Sequence, residues 1–523
     1  MWDPPENPRR LTERNLGEPQ NVADGIPPRK QMAFHHRGFF RKDRDSSTDE
    51  LDQRLPSTHG VTGTNVFRFM TPVPQTAEKF SGADRNWRVF LWFRVLFSAR
   101  FYYPVLAVLF LDLGLSATEY TLLNVAWAAA SLLSDVPAGV LADRIGCKPL
   151  LVAAGCCMVG EMAILCMAPR DGGVILFLFC LGNRILSGLA EGLASGADEA
   201  IVYDTLAESG REGEWHRVLE QATRWQSIGF VISMLAGGAV YAPGFINGIL
   251  AVLGIRAHLS QADTLRLPVI LTLGSAIVVL LLALSFREPQ RRLPHALEDE
   301  DGRHASSVAG AFSFVIRAGR WLLGNPLALF VVCAGFVLES CVRLFLTFSS
   351  SYFRLIDIPE IAFGALGAAM GGIGFFVSPW ARRMTAKMSI GGSFAIIAGV
   401  VLIGLAGLAA HPPYWGVLFG FLLGAAMTLI GFCVSTYLNM LVDSHHRATV
   451  LSFKGVAFNF AYGGISLLFA LALQKVPGTD AQERLAHAFG LLPWWLLLSC
   501  GILLLLFRKH LARITARTTS FQA

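Results

Sequence analysis

Long apolar runs separated by short polar stretches set the pattern of this chain from about residue 88 onward. Twelve runs are long enough to cross a bilayer as helix, which takes about 20 residues. They fall at 89–112, 120–141, 149–168, 173–198, 225–245, 267–286, 326–350, 360–381, 388–410, 414–438, 448–473 and 489–507. None alternates apolar and polar positions with period two, so the pattern predicts helices and not strands. Helices also satisfy every backbone polar group within one segment, as a bilayer requires.

The polar segments divide the chain. Residues 1–86 read as a mostly disordered tail, 87–286 as a first set of six helices and 287–325 as a central loop. Residues 326–510 read as a second set of six, and 511–523 as a C-terminal tail. No apolar core follows the initial Met, so the tail does not read as a cleaved leader. Residues 308–323 have the pattern of an amphipathic surface helix. Placing residues 1–86 in the cytoplasm also puts Arg144, Lys148, Arg211, Arg287, Arg291, Arg292, Arg382, Arg383, Lys387, Arg447, Arg508 and Lys509 there. It leaves Arg170, Arg256, Arg266, Arg354, Lys475 and Arg484 outside. Basic residues concentrate on the cytoplasmic side of membrane proteins, so both termini and 287–325 are expected inside. The expected location is the cell membrane, plasma or inner, crossed many times. The external segment 242–267 is long enough for a short lid-like helix at 245–255, though an ordinary external loop suffices.

Composition agrees with that reading. The chain is 53% hydrophobic and 16% charged, below the quarter or so usual for soluble domains. Its net charge of +6 lies mostly in loops and marks topology, not nucleic-acid binding. The nine cysteines show no metal or disulfide spacing and read as reduced core residues. His35-His36 alone is weak evidence for a metal. No nucleotide loop, nucleophile elbow or zinc motif is present, so neither an enzyme, nor a cofactor, nor ATP-driven transport is expected.

Charges at bilayer depth are costly and usually face a polar cavity or a partner. The fourth run is the richest. Arg184, Glu191 and Asp198 recur every seven residues on one stripe, and Gly188, Gly192 and Gly196 recur every fourth beside it. The glycine row predicts close packing of a neighbouring helix. Asp198, Glu199 and Asp204, near the cytoplasmic end, are expected to pair with loop bases. The first run carries Arg94 and Arg100, then Tyr103 and Asp112; the third carries a lone Glu161. Glu339 and Arg343 in the seventh stand one helical turn apart, a self-neutralising spacing.

Between the second and third runs stands Asp135-x-Pro137-x-Gly139-x-Leu141-Ala142-Asp143-Arg144-x-Gly146-x-Lys148. Gly139 and Gly146 are expected to permit close approach and tight turning. This stretch resembles the loop 2–3 signature of the major facilitator superfamily, with Cys147 where a base is usual. Arg184-x-x-x-Gly188 is similar to the fourth-helix motif of that superfamily's proton-coupled exporters. Arg100 with Pro104, Gly196 through Asp204, and Arg447 through Ser452 resemble its bacterial drug-exporter-like branch. The resemblance implies an all-α membrane protein, with twelve transmembrane helices in two six-helix bundles, working by alternating access. It implies a gating motif of Asp135, Gly139, Asp143, Arg144, Gly146, Lys148, Asp198, Glu199, Asp204 and Arg447. Asp143 is expected to meet the start of the eleventh helix near residues 449–451.

The expected activity is proton-coupled export of a small molecule by a monomer, with the substrate, protons and the lipid bilayer as partners. Glu191 is the first candidate for the coupling carboxylate, with Arg184 as its modulator and Glu161 and Glu339 as rivals. Arg100, Tyr103 and Arg343 are candidate cavity residues. Two other readings stay open. One is uptake or facilitated diffusion of an anionic nutrient, with Arg100 and Arg184 as counter-charges. The other is a non-transporting sensor or lipid-handling protein on the same fold.

Overall fold

A computed structural model describes residues 75–170, 172–289, 308–442 and 444–515. The chain divides into two units, Met1–Met70 and Thr71–Ala523. The first, with most of the expected tail and His35-His36, lies outside the described residues, as does 290–307 of the central loop.

Every regular element among the described residues is helical. The first bundle comprises α1 (Gln75–Ser98), α2 (Leu106–Asp112), α3 (Ala117–Ile145), α4 (Cys147–Met167), α5 (Gly173–Ala194), α6 (Ala197–Glu208), α7 (Trp215–Tyr241), α8 (Pro243–Val252), α9 (Gln261–Thr264) and α10 (Leu267–Ser285). Helix α11 (Val308–Gly324) follows at the position of the expected amphipathic helix. The second bundle comprises α12 (Pro326–Leu355), α13 (Phe363–Lys387), α14 (Ile390–Ala409), α15 (Gly416–Leu441), α16 (Ser444–Lys475) and α17 (Ala481–Leu506), and the short α18 (Leu511–Thr515) closes the described chain. Among the described residues eleven helical segments are long and apolar enough to span a membrane, and α7 with α8, bent by 82°, makes a twelfth if the pair is one span. Pro243, the first residue of α8, lacks the N–H that would continue α7. Helix α8 therefore occupies part of the segment expected as an external loop.

Local chemistry sets several boundaries. Ser116 and Glu119 form a capping box at the start of α3. Ser389 and Asp480 cap α14 and α17 through their side-chain oxygens. Phe375, Phe376 and Trp380 on α13 are 82, 75 and 73% exposed, an apolar face suited to lipid.

Two departures from the expected spans shape the interior. The first span is interrupted at 99–102, between α1 and the 3-10 turn Tyr103–Val105. The fourth is interrupted at Ser195 and at Gly196, which takes a left-handed φ of 75°. Helix then resumes to Glu208, ten residues past the expected end at 198. The C-terminal tail is not wholly free of structure either. Ile514 of α18 is 1% exposed and packs on Gly391 of α14.

Close backbone contacts hold the helices. A Cβ on Gly188 would lie 2.6 Å from the Trp127 carbonyl oxygen, and one on Gly192 would lie 2.0 Å from Ser134 Oγ. The glycine row thus seats α5 on α3 as expected, except for Gly196, where a Cβ would meet nothing within 4 Å. Across the seam between bundles, α3 packs on α16 and α7 on α13.

Candidate functional site

The break in the first span sets Arg100 in non-helical backbone. Its Nε donates to the Phe97 carbonyl at 3.2 Å, satisfying one group freed by the break. Its Nη1 is hydrogen-bonded to Glu161 of α4, and its Nη2 lies 3.5 Å from Glu191 Oε1 of α5. Exposures separate the three side chains: Arg100 is 1% exposed, Glu161 0% and Glu191 37%. Arg100 is therefore an enclosed counter-ion and not a cavity-facing group. Glu161 is not a lone acid; its partner stands 61 residues away in sequence.

Arg184 does not pair with Glu191. Its Nη2 donates to Asn124 Oδ1 at 3.1 Å, and its guanidinium carbon lies 5.8 Å from the Trp127 ring centroid. Two helical turns separate Arg184 from Glu191; Asn124 on α3 is nearer to the one and Arg100 at the break is nearer to the other.

Two cavities meet at Arg343. One, of about 430 Å³, runs from Arg343, Asn459 and Trp127 past Glu191 and Asp135 to Asp198 and Glu199. The other, of about 390 Å³, is mostly apolar, with Tyr103, Leu106, Phe230, Met234, Met370 and Met427 in its wall. Arg343 Nη1 donates to Asn459 Oδ1 at 3.1 Å and to Glu339 Oε1 at 3.4 Å. Its guanidinium carbon lies 4.7 Å from the Tyr462 ring centroid and 5.5 Å from that of Trp127. Glu339 is 5% exposed. Of the expected cavity residues, Tyr103 and Arg343 line a cavity and Arg100 does not.

At one end of the molecule lies the Asp143 loop. Gly146 joins α3 to α4 with φ of 100°, so the expected turn is present. Glu288 accepts from the backbone N–H of Cys147 at 3.0 Å and of Lys148 at 2.8 Å, placing a carboxylate on the positive end of α4. Gly139 meets no neighbour that a Cβ would touch, so its expected close approach is absent. Asp143 is half-buried and Arg144 exposed at the end of α3, whereas Asp135 lines the first cavity. The side chains of Arg447 and of residues 449 and 451 lie outside the described residues, and with them the expected Asp143 contact.

Among the described residues the partner of Asp198 and Glu199 is a helix base and not a loop base. Arg94 of α1 reaches them at 3.6 and 2.6 Å. The left-handed Gly196 starts a new helix there, which takes Asp198 off the Arg184–Glu191 stripe and aims it at α1. Asp204 is buried farther along α6.

The opposite end is clamped across the seam. Asp112 of α2 takes two hydrogen bonds from Arg354 of α12, at 2.6 and 2.7 Å, and a third from Tyr241. Arg354 also bonds Glu360. Ser350 Oγ accepts from the N–H of Ala107 at 3.1 Å and of Val108 at 3.3 Å, and Tyr120 donates to the Thr347 carbonyl at 2.9 Å. Asp112 stands out in the sequence as a charge at depth, but nothing in its spacing marks Arg354 or Tyr241 as its partners.

A helical membrane protein with two facing bundles, cavities at their seam and buried ion pairs along them is built as a secondary transporter. The model of the Major Facilitator Superfamily matches residues 90–467, and the chain belongs to that superfamily. Solved structures share the fold. The nucleoside transporter NupG is 12% identical with a TM-score of 0.61, covering 81% of this chain and 98% of that one. The peptide transporter POT is 15% identical with a TM-score of 0.57, covering 82 and 96%. A D-xylose-proton symporter is 14% identical with a TM-score of 0.53, covering 82 and 97%. Identities this low show common architecture alone and do not single out a drug-exporter-like branch. A search of curated sequences finds no match.

Proposed function

We propose that the protein moves a small molecule by alternating access in exchange for protons, with Glu191 as the coupling carboxylate. One observation carries this reading. Glu191 is 37% exposed to the 430 Å³ cavity while lying 3.5 Å from Arg100, itself held by the enclosed Glu161. Glu191 can therefore exchange a proton with cavity water, and Glu161 cannot. A proton on Glu191 removes one of two charges competing for Arg100, which changes what holds α5 to the broken first span. Export is the direction that the Arg184-x-x-x-Gly188 resemblance implies. We place both termini in the cytoplasm from the basic-residue asymmetry, so the 430 Å³ cavity lies toward that side and the Asp112 clamp toward the outside.

Uptake of an anionic substrate is the second reading, favoured by Arg184. Among the described residues Arg184 has no carboxylate within 4 Å. Proteoliposomes with an imposed pH gradient test both. Substrate flux that follows the gradient and is lost in Glu191→Gln supports proton coupling, and the sign of the effective gradient gives the direction. Full gradient-driven flux in Glu191→Gln overturns the assignment, and substrate binding without flux would favour a sensor.

A further inference from the structure

Two arginines from opposite bundles converge on one indole. The guanidinium carbons of Arg184 and Arg343 lie 5.8 and 5.5 Å from the Trp127 ring centroid. The ring attracts a cation but does not neutralise it. Among the described residues the carboxylates are unevenly shared. Arg100 faces Glu161 and Glu191, and Arg94 faces Asp198 and Glu199. Arg184 and Arg343 together have Glu339 alone. The Nε of Arg184 is buried without a hydrogen-bond partner. Around the Trp127 ring positive charge is therefore in excess, and Arg343, 26% exposed, carries it to both cavities. Beyond Arg343 the second cavity is apolar, and its three methionines, Met234, Met370 and Met427, can fit irregular shapes.

We propose that the substrate is an amphipathic anion, its charged group against Arg343 and its apolar body among Met234, Met370 and Met427. This rests on the second reading above, uptake of an anionic substrate, with the cavities as the transport path. Added negative charge in the cavity that Glu191 shares favours a proton there, so the anion and the proton bind together, as co-transport requires and exchange does not. Asp135, Glu191, Asp198 and Glu199 line the same 430 Å³ cavity, the last two against Arg94, and make a cationic amphiphile the competing occupant.

The full chain in lipid nanodiscs tests the proposal by calorimetry with three probes: 4-phenylbutyrate, 4-phenylbutylamine and 4-phenylbutanol. They share a body and differ in charge. Phenylbutyrate is expected to bind at least tenfold tighter than the other two. Arg343→Gln should lose at least tenfold of that affinity, and Arg343→Lys, which keeps the charge, should lose less. Tighter binding of the amine overturns the proposal. So does binding of none of the three, or wild-type phenylbutyrate affinity in Arg343→Gln. The same titrations in two buffers of different ionisation enthalpy count protons. Uptake of about one proton, lost in Glu191→Gln, is the expected result. Arg343-dependent binding of the anion without proton uptake would keep the site and overturn co-transport instead.

Discussion

The guanidinium of Arg343 lies 5.5 Å from the centre of the Trp127 ring, although the two residues belong to opposite bundles. Arg184 approaches the same ring from within its own bundle. Trp127→Leu keeps an apolar side chain but removes the aromatic face from both cations. Each contact is worth about 0.5–2 kcal/mol. The variant should fold, unfold at a lower temperature and lose about tenfold in substrate affinity. Unchanged melting and affinity would show that the indole is filler.

Arg100 and Glu161 should respond unequally to substitution. Arg100→Met strands a carboxylate at 0% exposure and should destabilise the protein by about 3–5 kcal/mol. Glu161→Gln leaves Arg100 with Glu191 at 3.5 Å and should be milder. Thermal unfolding of the purified variants in one lipid mixture decides the point, and equal losses would contradict it.

Glycine positions separate packing from conformation. A Cβ on Gly237 would lie 1.7 Å from the Phe101 carbonyl oxygen, at the break in the first span. Gly237→Ala should sharply lower the yield of monodisperse protein in size-exclusion chromatography. Gly196 has open space around it but φ of 75°, so Gly196→Ala meets only the left-handed penalty of about 1–2 kcal/mol. Its yield should stay near that of the parent.

The spans were legible because each apolar run is long enough to declare itself, and Gly146 declared the turn it makes. The partnerships were not. Arg100 and Glu161 lie 61 positions apart, and Arg94 and Glu199 lie 105 apart, so no spacing rule links them. The break at Gly196 was hidden because a glycine every fourth residue reads as a packing groove. Trp127 passed unnoticed, since one indole in an apolar run resembles any other core residue. Glu288 was missed because capping of α4 needs the ends of two distant spans together.

The Asp112 clamp should set the balance between conformations. Asp112→Asn weakens two hydrogen bonds from Arg354. A loss of about 1 kcal/mol moves a two-state ratio about fivefold. Spin labels at Ser116 and Gln482, one on each bundle near this end, should show a larger long-distance population in the variant. An unchanged distance distribution would remove the clamp from the gating cycle.

Topology can be read with cysteines placed at Ser260 and Gly213 in a background without reactive thiols. An impermeant thiol reagent on intact cells should label the Ser260 position and not the Gly213 position. The reverse pattern would invert the orientation.

The interruptions of the first and fourth spans leave four half-helices where two continuous rods would otherwise run. At each gap the regular helical ladder gives way, to turn bonds such as Tyr103 N–H to the Arg100 carbonyl in the first and to the left-handed Gly196 in the fourth. The half-helices are also tied by ions, α1 to α6 through Arg94 and the break itself to α5 through Arg100. On the proposed role of Glu191, a charge gained or lost there would act on a joint, and the motion expected is the swing of a segment and not the sliding of a whole bundle.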